Sequence, residues 1–445
     1  MWTDSLGNPV GLQHTGSQAG VNDFVEGFIA SQARVGNILE TAASDEAPLV
    51  QAYAAALHMF AETGAAGANA RPFMTRAKAS LLHATARERS FIEAVQAWMD
   101  GDVQRSVAVL EQHLREHPRD LVALKLAHYH LFNLGDSPGM LRLALSCLPH
   151  AADVPYLHGM LAFGWEQCHW LEQAEAAARK AIAMEHTEPW AHHALAHVML
   201  TQGRVREGQQ FLSEVSSSWV GLNSFMVTHN WWHQALFALE LEQYDEALAL
   251  YDRQVWGVAK DYSQDQVNAV SLLARLELAG ADTGERWQDL ADHLLLHTDD
   301  QVLPFLDMQY LYGLARAGRP QAERLLRNIE IHASRVAPAL RHAWQKVCVP
   351  ASRGLLAHAR GDWQRAVEEL GQALPRLTEI GGSHAQRDLF AQVHLDALIR
   401  SGNLAGAQHL LQQQLRGQPE SLRLKRQAAA VYQGLGLGAI AAGLA

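Results

Sequence analysis

Apolar residues along this chain recur at i, i+3, i+4 and i+7, as in Val95/Trp98/Met99 and Leu236/Leu239. That is the spacing of one helix face. Ala, Leu, Gln, Glu and Arg dominate the intervening positions, and all are good helix formers. Runs of alternating β-branched residues, which strands favour, are absent from the sequence. The pattern predicts helices joined by short turns.

The turns themselves repeat. Gly101, Gly135 and Gly203 lie on a 34-residue comb whose missing tooth falls at His169. Gly101-Asp102 leads into Ser106, Leu110, Leu114 and Pro118, and 68 residues later Ala174, Ala178, Ile182 and His186 take those places. One more period gives Gly208 and Leu212. Later copies keep a turn followed five residues on by a small residue: Glu242 with Ala247, Gly361 with Ala366, Gly402 with Ala407. The turn Gly318-Arg319-Pro320 is a poorer copy, with Glu323 at the small position. A turn glycine suits a left-handed C-cap, and the small residue lets two helices approach closely. Helix, turn and second helix at this period form the tetratricopeptide pattern.

The expected fold is all-α, a right-handed superhelical solenoid of tetratricopeptide-like hairpins. It divides into a less regular helical region at 1–90, an array of about nine hairpins at 91–420 and a capping helix at 421–445. All three are expected to form one continuous solenoid, because each hairpin buries its apolar face only against its neighbours. Residues 64–70 and the Gly381-Gly382 turn are the linker candidates.

Composition narrows the function classes. The chain of 445 residues is 48% hydrophobic and carries 36 Lys+Arg against 47 Asp+Glu, a net charge of −11. That balance argues for a globular protein and against tracking along nucleic-acid phosphates. Cys147, Cys168 and Cys348 are too few for a disulfide framework and fit a reducing, cytoplasmic setting. The opening residues lack a basic segment followed by an apolar one, so no secretory signal is expected. No stretch is apolar enough to span a membrane. The expected partners are a small molecule, a peptide or a protein in the concave groove, with neither nucleic acid nor membrane.

Several segments resemble the tetratricopeptide-repeat protein 38 family. They are Ala123–His128 with Leu134-Gly135, Trp190–His197, His229-Asn230-Trp231-Trp232-His233, Tyr244–Leu248 and Gly381–Asp388. The likeness runs in order over roughly residues 80–430 and implies a cytosolic helical solenoid. It implies no established activity, and it supports His193, His197, His229 and His233 as motif positions.

The 24 histidines gain meaning from the repeat register. Taking the turn residue as position 15 puts Trp190, His193 and His197 on the groove face of one first helix. The next first helix presents His229, Trp232, His233 and Glu240. Each helix thus carries an HxxxH pair, and residues four apart share a face. Neighbouring helices pack 8–10 Å apart, so four imidazoles can converge beside two indoles.

Three readings stay open. The histidines can satisfy buried hydrogen bonds between helices. They can line a ligand pocket with Trp190, Asn230 and Trp232. Or His193, His197, His229 and His233 can hold a divalent transition metal. An enzyme using that metal, or histidine as general acid and base, is the alternative to a binding protein. HExxH is not met, because Ala194 follows His193. Glu166 and Glu240 are candidate carboxylates beside a metal. Phe163 and Gln167 are further groove positions, and His128 reads as a packing residue.

Two other features stand out. At Gly381–Asp388, Ser383 can cap a helix, or the glycine amides with Arg387 and Asp388 can form a ligand site. Asp307 lies in an otherwise apolar first helix and either pairs with arginine or faces the groove. The cysteines lack any activating motif.

Overall fold

The computed structural model describes residues 2–444, and apart from a two-stranded antiparallel ribbon pairing Trp2 with Val10 and Thr3 with Pro9 its regular elements are helices. Ten successive helix pairs run from Ala86–Met99 with Val103–Glu116 to Leu422–Gly434 with Gly438–Ala442. Each pair turns on a left-handed residue: Gly101, Gly135, His169, Gly203, Glu242, Gly280, Gly318, Gly361, Gly402 and Gly436, with φ between 60° and 90°. This is an all-α array of helical hairpins of the tetratricopeptide type. His169 and Glu242 (φ 60° each) adopt a conformation that costs a side-chain residue energy, so the repeat geometry overrides local preference there.

The small positions are buried. Ser106, Ala174, Ala247, Ala366 and Ala407 have no exposed surface, and a Cβ at Gly208 would lie 2.2 Å from the Phe237 ring. At the Pro320 turn the register shifts by one. Ala322 is buried, and Glu323, expected inside by count, points outward with half its side chain exposed. Pro320 stands directly before the Gln321–Arg335 helix and brings its first inward residue forward.

The segment before residue 90 contains a further pair, Pro48–Met59 with Ala66–Ala79, turning at Glu62 with φ 53°. The Gly/Ala stretch at 64–70 is thus mostly helix, because alanine favours helix more than glycine opposes it at a helix end.

The contacts divide the described chain into two compact units. One comprises residues 2–195 and 218–226, the other 196–217 and 227–444. The core of the second runs from Trp232 through Tyr251, Trp287, Tyr310 and Trp344 to Val393. Two unbroken helices, Pro189–Thr201 and Ser224–Glu240, carry the chain across the division.

Candidate metal centre

The helix bearing the first HxxxH pair starts at Pro189, a favoured first position. The buried Glu188 carboxylate accepts from the amides of Trp190 (3.3 Å) and Ala191. The helix ends at Thr201, the left-handed Gly203 turns the chain, and Arg204 N returns to Met199 O at 2.8 Å. The second helix starts behind Asn223, whose Oδ1 accepts from Met226 N at 2.9 Å. It ends at Glu240 and the left-handed Glu242 turns the chain, with Gln243 N bonded to Ala238 O at 2.8 Å. Both ends of both helices are set, which fixes the rotation of each histidine pair about its axis.

His193, His197, His229 and His233 each offer one ring nitrogen, and these four atoms lie within 4.8 Å of one another. The ring centroids of His197 and His233 are 4.5 Å apart, and those of His229 and His233 are 5.0 Å apart at 87°. None of the four is more than 2% exposed. The cluster is enclosed, whereas the repeat register alone predicts an open groove wall.

His229 is braced from behind. Its Nδ1 lies 3.0 Å from the Asn268 side-chain oxygen, an acceptor only. Nδ1 therefore carries the proton and Nε2 keeps its lone pair. Asn268 Nδ2 approaches Thr228 Oγ1 at 3.5 Å, and that hydroxyl donates to Asp265 at 2.5 Å. A carboxylate thus ends a hydrogen-bonded line leading to the imidazole. Burial, with the neighbouring His197 adding to it, pushes the His229 pKa down to about 3, so its ring is neutral as a metal ligand must be.

The other residues expected at this site separate into groups. Trp190 meets the His193 ring edge-on at 5.4 Å. Its Nε1 donates to Ser31 Oγ at 2.9 Å, and Lys125 Nζ sits 4.7 Å over its ring. Phe163 packs against His193 at 5.2 Å. Trp232 is fully buried and stacks on His229 at 5.2 Å and 10°, so it belongs to the core beneath the cluster. Asn230 is also fully buried, and its amide has no hydrogen-bond partner. Glu166 accepts from Gln167 at 2.5 Å. Glu240 is engaged by Arg423 Nε at 2.9 Å and Ser421 Oγ at 2.7 Å, which leaves it committed to an ion pair.

The Gly381–Asp388 turn has its polar groups engaged within the protein. Ser383 and Gln386 form a reciprocal capping box. Arg387 donates to the carbonyls of Gly381 and Gly382. Asp388 accepts from Gln392 at 2.5 Å and lies 3.7 Å from Arg423. His128, read as a packing residue, bonds Met140 O at 2.9 Å. Sequence reasoning missed Asn268, Thr228 and Asp265. The Asp265–Asn268 pair lies on the next first helix and carries no local motif.

No family model matches this chain. Solved structures similar to it include a human IFIT1 dimer with PPP-AAAA, 12% identical, covering 85% of each chain with a TM-score of 0.40. The human IFIT1 dimer with m7Gppp-AAAA is also 12% identical, covers 85% of each chain and scores 0.39. Naa15/Naa10 bound to HypK-THB is 13% identical, covering 97% of this chain and 68% of that one, with a TM-score of 0.26. The shared feature is a helical repeat. One expectation is corrected: nucleic acid does not stand excluded, and the similar human IFIT1 structures are solved with PPP-AAAA and m7Gppp-AAAA. Net charge sums over every face and does not report the sign of one surface. Among the described residues, no helix is long and apolar enough to cross a membrane.

Proposed function

We propose that this chain is a metal-binding helical-repeat protein that holds one divalent transition-metal ion between His193, His197, His229 and His233. The observation that carries the reading is the convergence of four buried ring nitrogens within 4.8 Å. A tetrahedral zinc with bonds of about 2.0–2.1 Å separates its ligand atoms by about 3.3 Å. Small imidazole rotations close that difference. The donor set is all nitrogen, which suits Zn2+, Cu2+, Ni2+ or Co2+ and disfavours Mg2+ and Ca2+, whose ligands are oxygens. The bond from His229 to Asn268 is the outer partner that a ligating histidine ordinarily has. Trp190, Phe163 and Trp232 supply the apolar wall around the ion. We also read the chain as a relative of the tetratricopeptide-repeat protein 38 family, on the ordered segments quoted above.

Elemental analysis of protein purified without an affinity tag tests the reading. About one equivalent of a transition metal is expected, lost in His193→Ala/His233→Ala. Asn268→Ala should keep the stoichiometry at saturation but weaken affinity by roughly 10–100-fold. Metal below a tenth of an equivalent, together with no thermal shift on adding Zn2+, Cu2+, Ni2+ or Co2+, sinks the proposal.

A further inference from the structure

A cavity of about 280 Å³ opens between the Gln321–Arg335, Val349–Ala359 and Trp363–Ala373 helices. Arg353, Leu356, Ala357 and Arg360 line it from one helix face, at the i, i+3, i+4, i+7 spacing. Leu326 and Arg327 enter from the second helix, and Asp362 and Arg365 from the start of the third. Four arginines and the carboxylates of Glu323 and Asp362 therefore share the lining with two leucines and an alanine. No lysine takes part, although the chain as a whole carries a net charge of −11.

Glu323 sits in the cavity as a resident anion. Arg360 Nη2 reaches its Oε1 at 2.5 Å, and Arg327 Nη1 is 3.9 Å from its Oε2. It reaches this place through the Pro320 register shift, which buries Ala322 and turns Glu323 outward. Arg353 pairs with Glu330 at 2.6 Å. Asp362 accepts from the Arg365 amide, and the Arg365 guanidinium has no anionic partner among the described residues.

We infer that this cavity is a binding site for a small organic phosphate, a dianion with a flat apolar body. Guanidinium forks match phosphate oxygens two at a time. The phosphate meets Arg365 directly and displaces the Glu323 carboxylate from Arg360 and Arg327. The two leucines and the alanine take the body. Ligand sites commonly measure about 300–1,000 Å³, so this volume suits a ligand of one ring. The inference uses none of the histidine residues and stands apart from the metal reading.

Phenyl phosphate is the probe, titrated calorimetrically into the full-length chain, with inorganic phosphate and phenol in parallel. Saturable one-to-one binding is expected, about tenfold tighter than inorganic phosphate, with no binding of phenol. Arg360→Gln and Arg365→Gln should each weaken it roughly tenfold. Glu323→Gln should tighten it several-fold, because the competing carboxylate is gone, a change that a purely structural ion pair would not produce. Residues 323, 360 and 365 are all exposed, so the variants should melt with the parent. Absence of saturable binding to about 10 mM, binding unchanged in Arg360→Gln/Arg365→Gln, or inorganic phosphate binding as tightly as phenyl phosphate would each overturn the inference.

Discussion

Asp307 and Asp120 are both buried carboxylates, yet their surroundings drive them in opposite directions. Asp120 takes Arg87 Nη1 at 2.5 Å and His113 Nε2 at 3.0 Å. The guanidinium and imidazole overcome the penalty of burial and hold the carboxyl well below its usual range. Asp307 is 1% exposed, and neither of its oxygens has a hydrogen-bond partner. Burial raises its pKa well above the ordinary carboxylate value, and the charge of Asp300 adds to the effect. The folded chain therefore keeps a proton that the unfolded chain releases above about pH 4. Unfolding is then favoured as pH rises, so this group's contribution to stability is full at low pH and is lost toward neutrality. Asp307→Asn, which keeps the shape and cannot ionise, should raise stability at pH 7 by on the order of 1–3 kcal/mol. Urea unfolding at pH 5 and pH 8 should show the parent losing more stability than the variant. Equal losses would refute this account.

At the scale of the element, the turn residue decides each hairpin. Gly101 has φ 78°, and a Cβ there would meet nothing within 4 Å. Gly101→Ala therefore tests backbone conformation alone and should cost about 1 kcal/mol. His169 holds the same conformation with a side chain, so His169→Gly should recover up to about 1 kcal/mol. Hydrogen exchange in the flanking helices reads both: faster over 86–116 in the first variant, slower over 155–184 in the second. The spacing of the turns was legible in the sequence, since Gly101, Gly135 and Gly203 mark it. Glu62 was not, because glutamate gives no signal for a left-handed turn and the stretch before residue 90 carries no repeat.

Within the second unit, long-range closure comes from the last long helix, Leu422–Gly434, and the Ser421 that caps it. Arg423 and Ser421 bind Glu240, 183 and 181 positions away in sequence, at the end of the helix that carries His229 and His233. Arg426 pairs with Glu242 at 2.7 Å, and Arg275 reaches Ala385 O at 2.6 Å while lying 5.4 Å over Trp232. Arg423 and Glu240 are each 13% exposed, so deleting the guanidinium strands a largely buried carboxylate. Arg423→Ala should destabilise this unit by on the order of 3 kcal/mol. It should also raise hydrogen exchange in residues 224–240, and a change confined to residues 404–434 would contradict this coupling.

The sequence by itself determined the helices, the left-handed turns at Gly101, Gly135 and Gly203, and the two HxxxH pairs, because helical periodicity and a glycine's freedom at positive φ are local properties. It placed His193 beside His197 and His229 beside His233, and the repeat register set the two pairs on neighbouring first helices. Tertiary structure alone decided that those four rings are enclosed, that Trp232 lies in the core, and that Asn268 steadies His229 from 39 positions away. It also turned Arg387 onto its own backbone and committed Glu240 to Arg423. Burial and the pairing of buried polar groups are settled by which distant helices pack together, and no local window of sequence contains that choice.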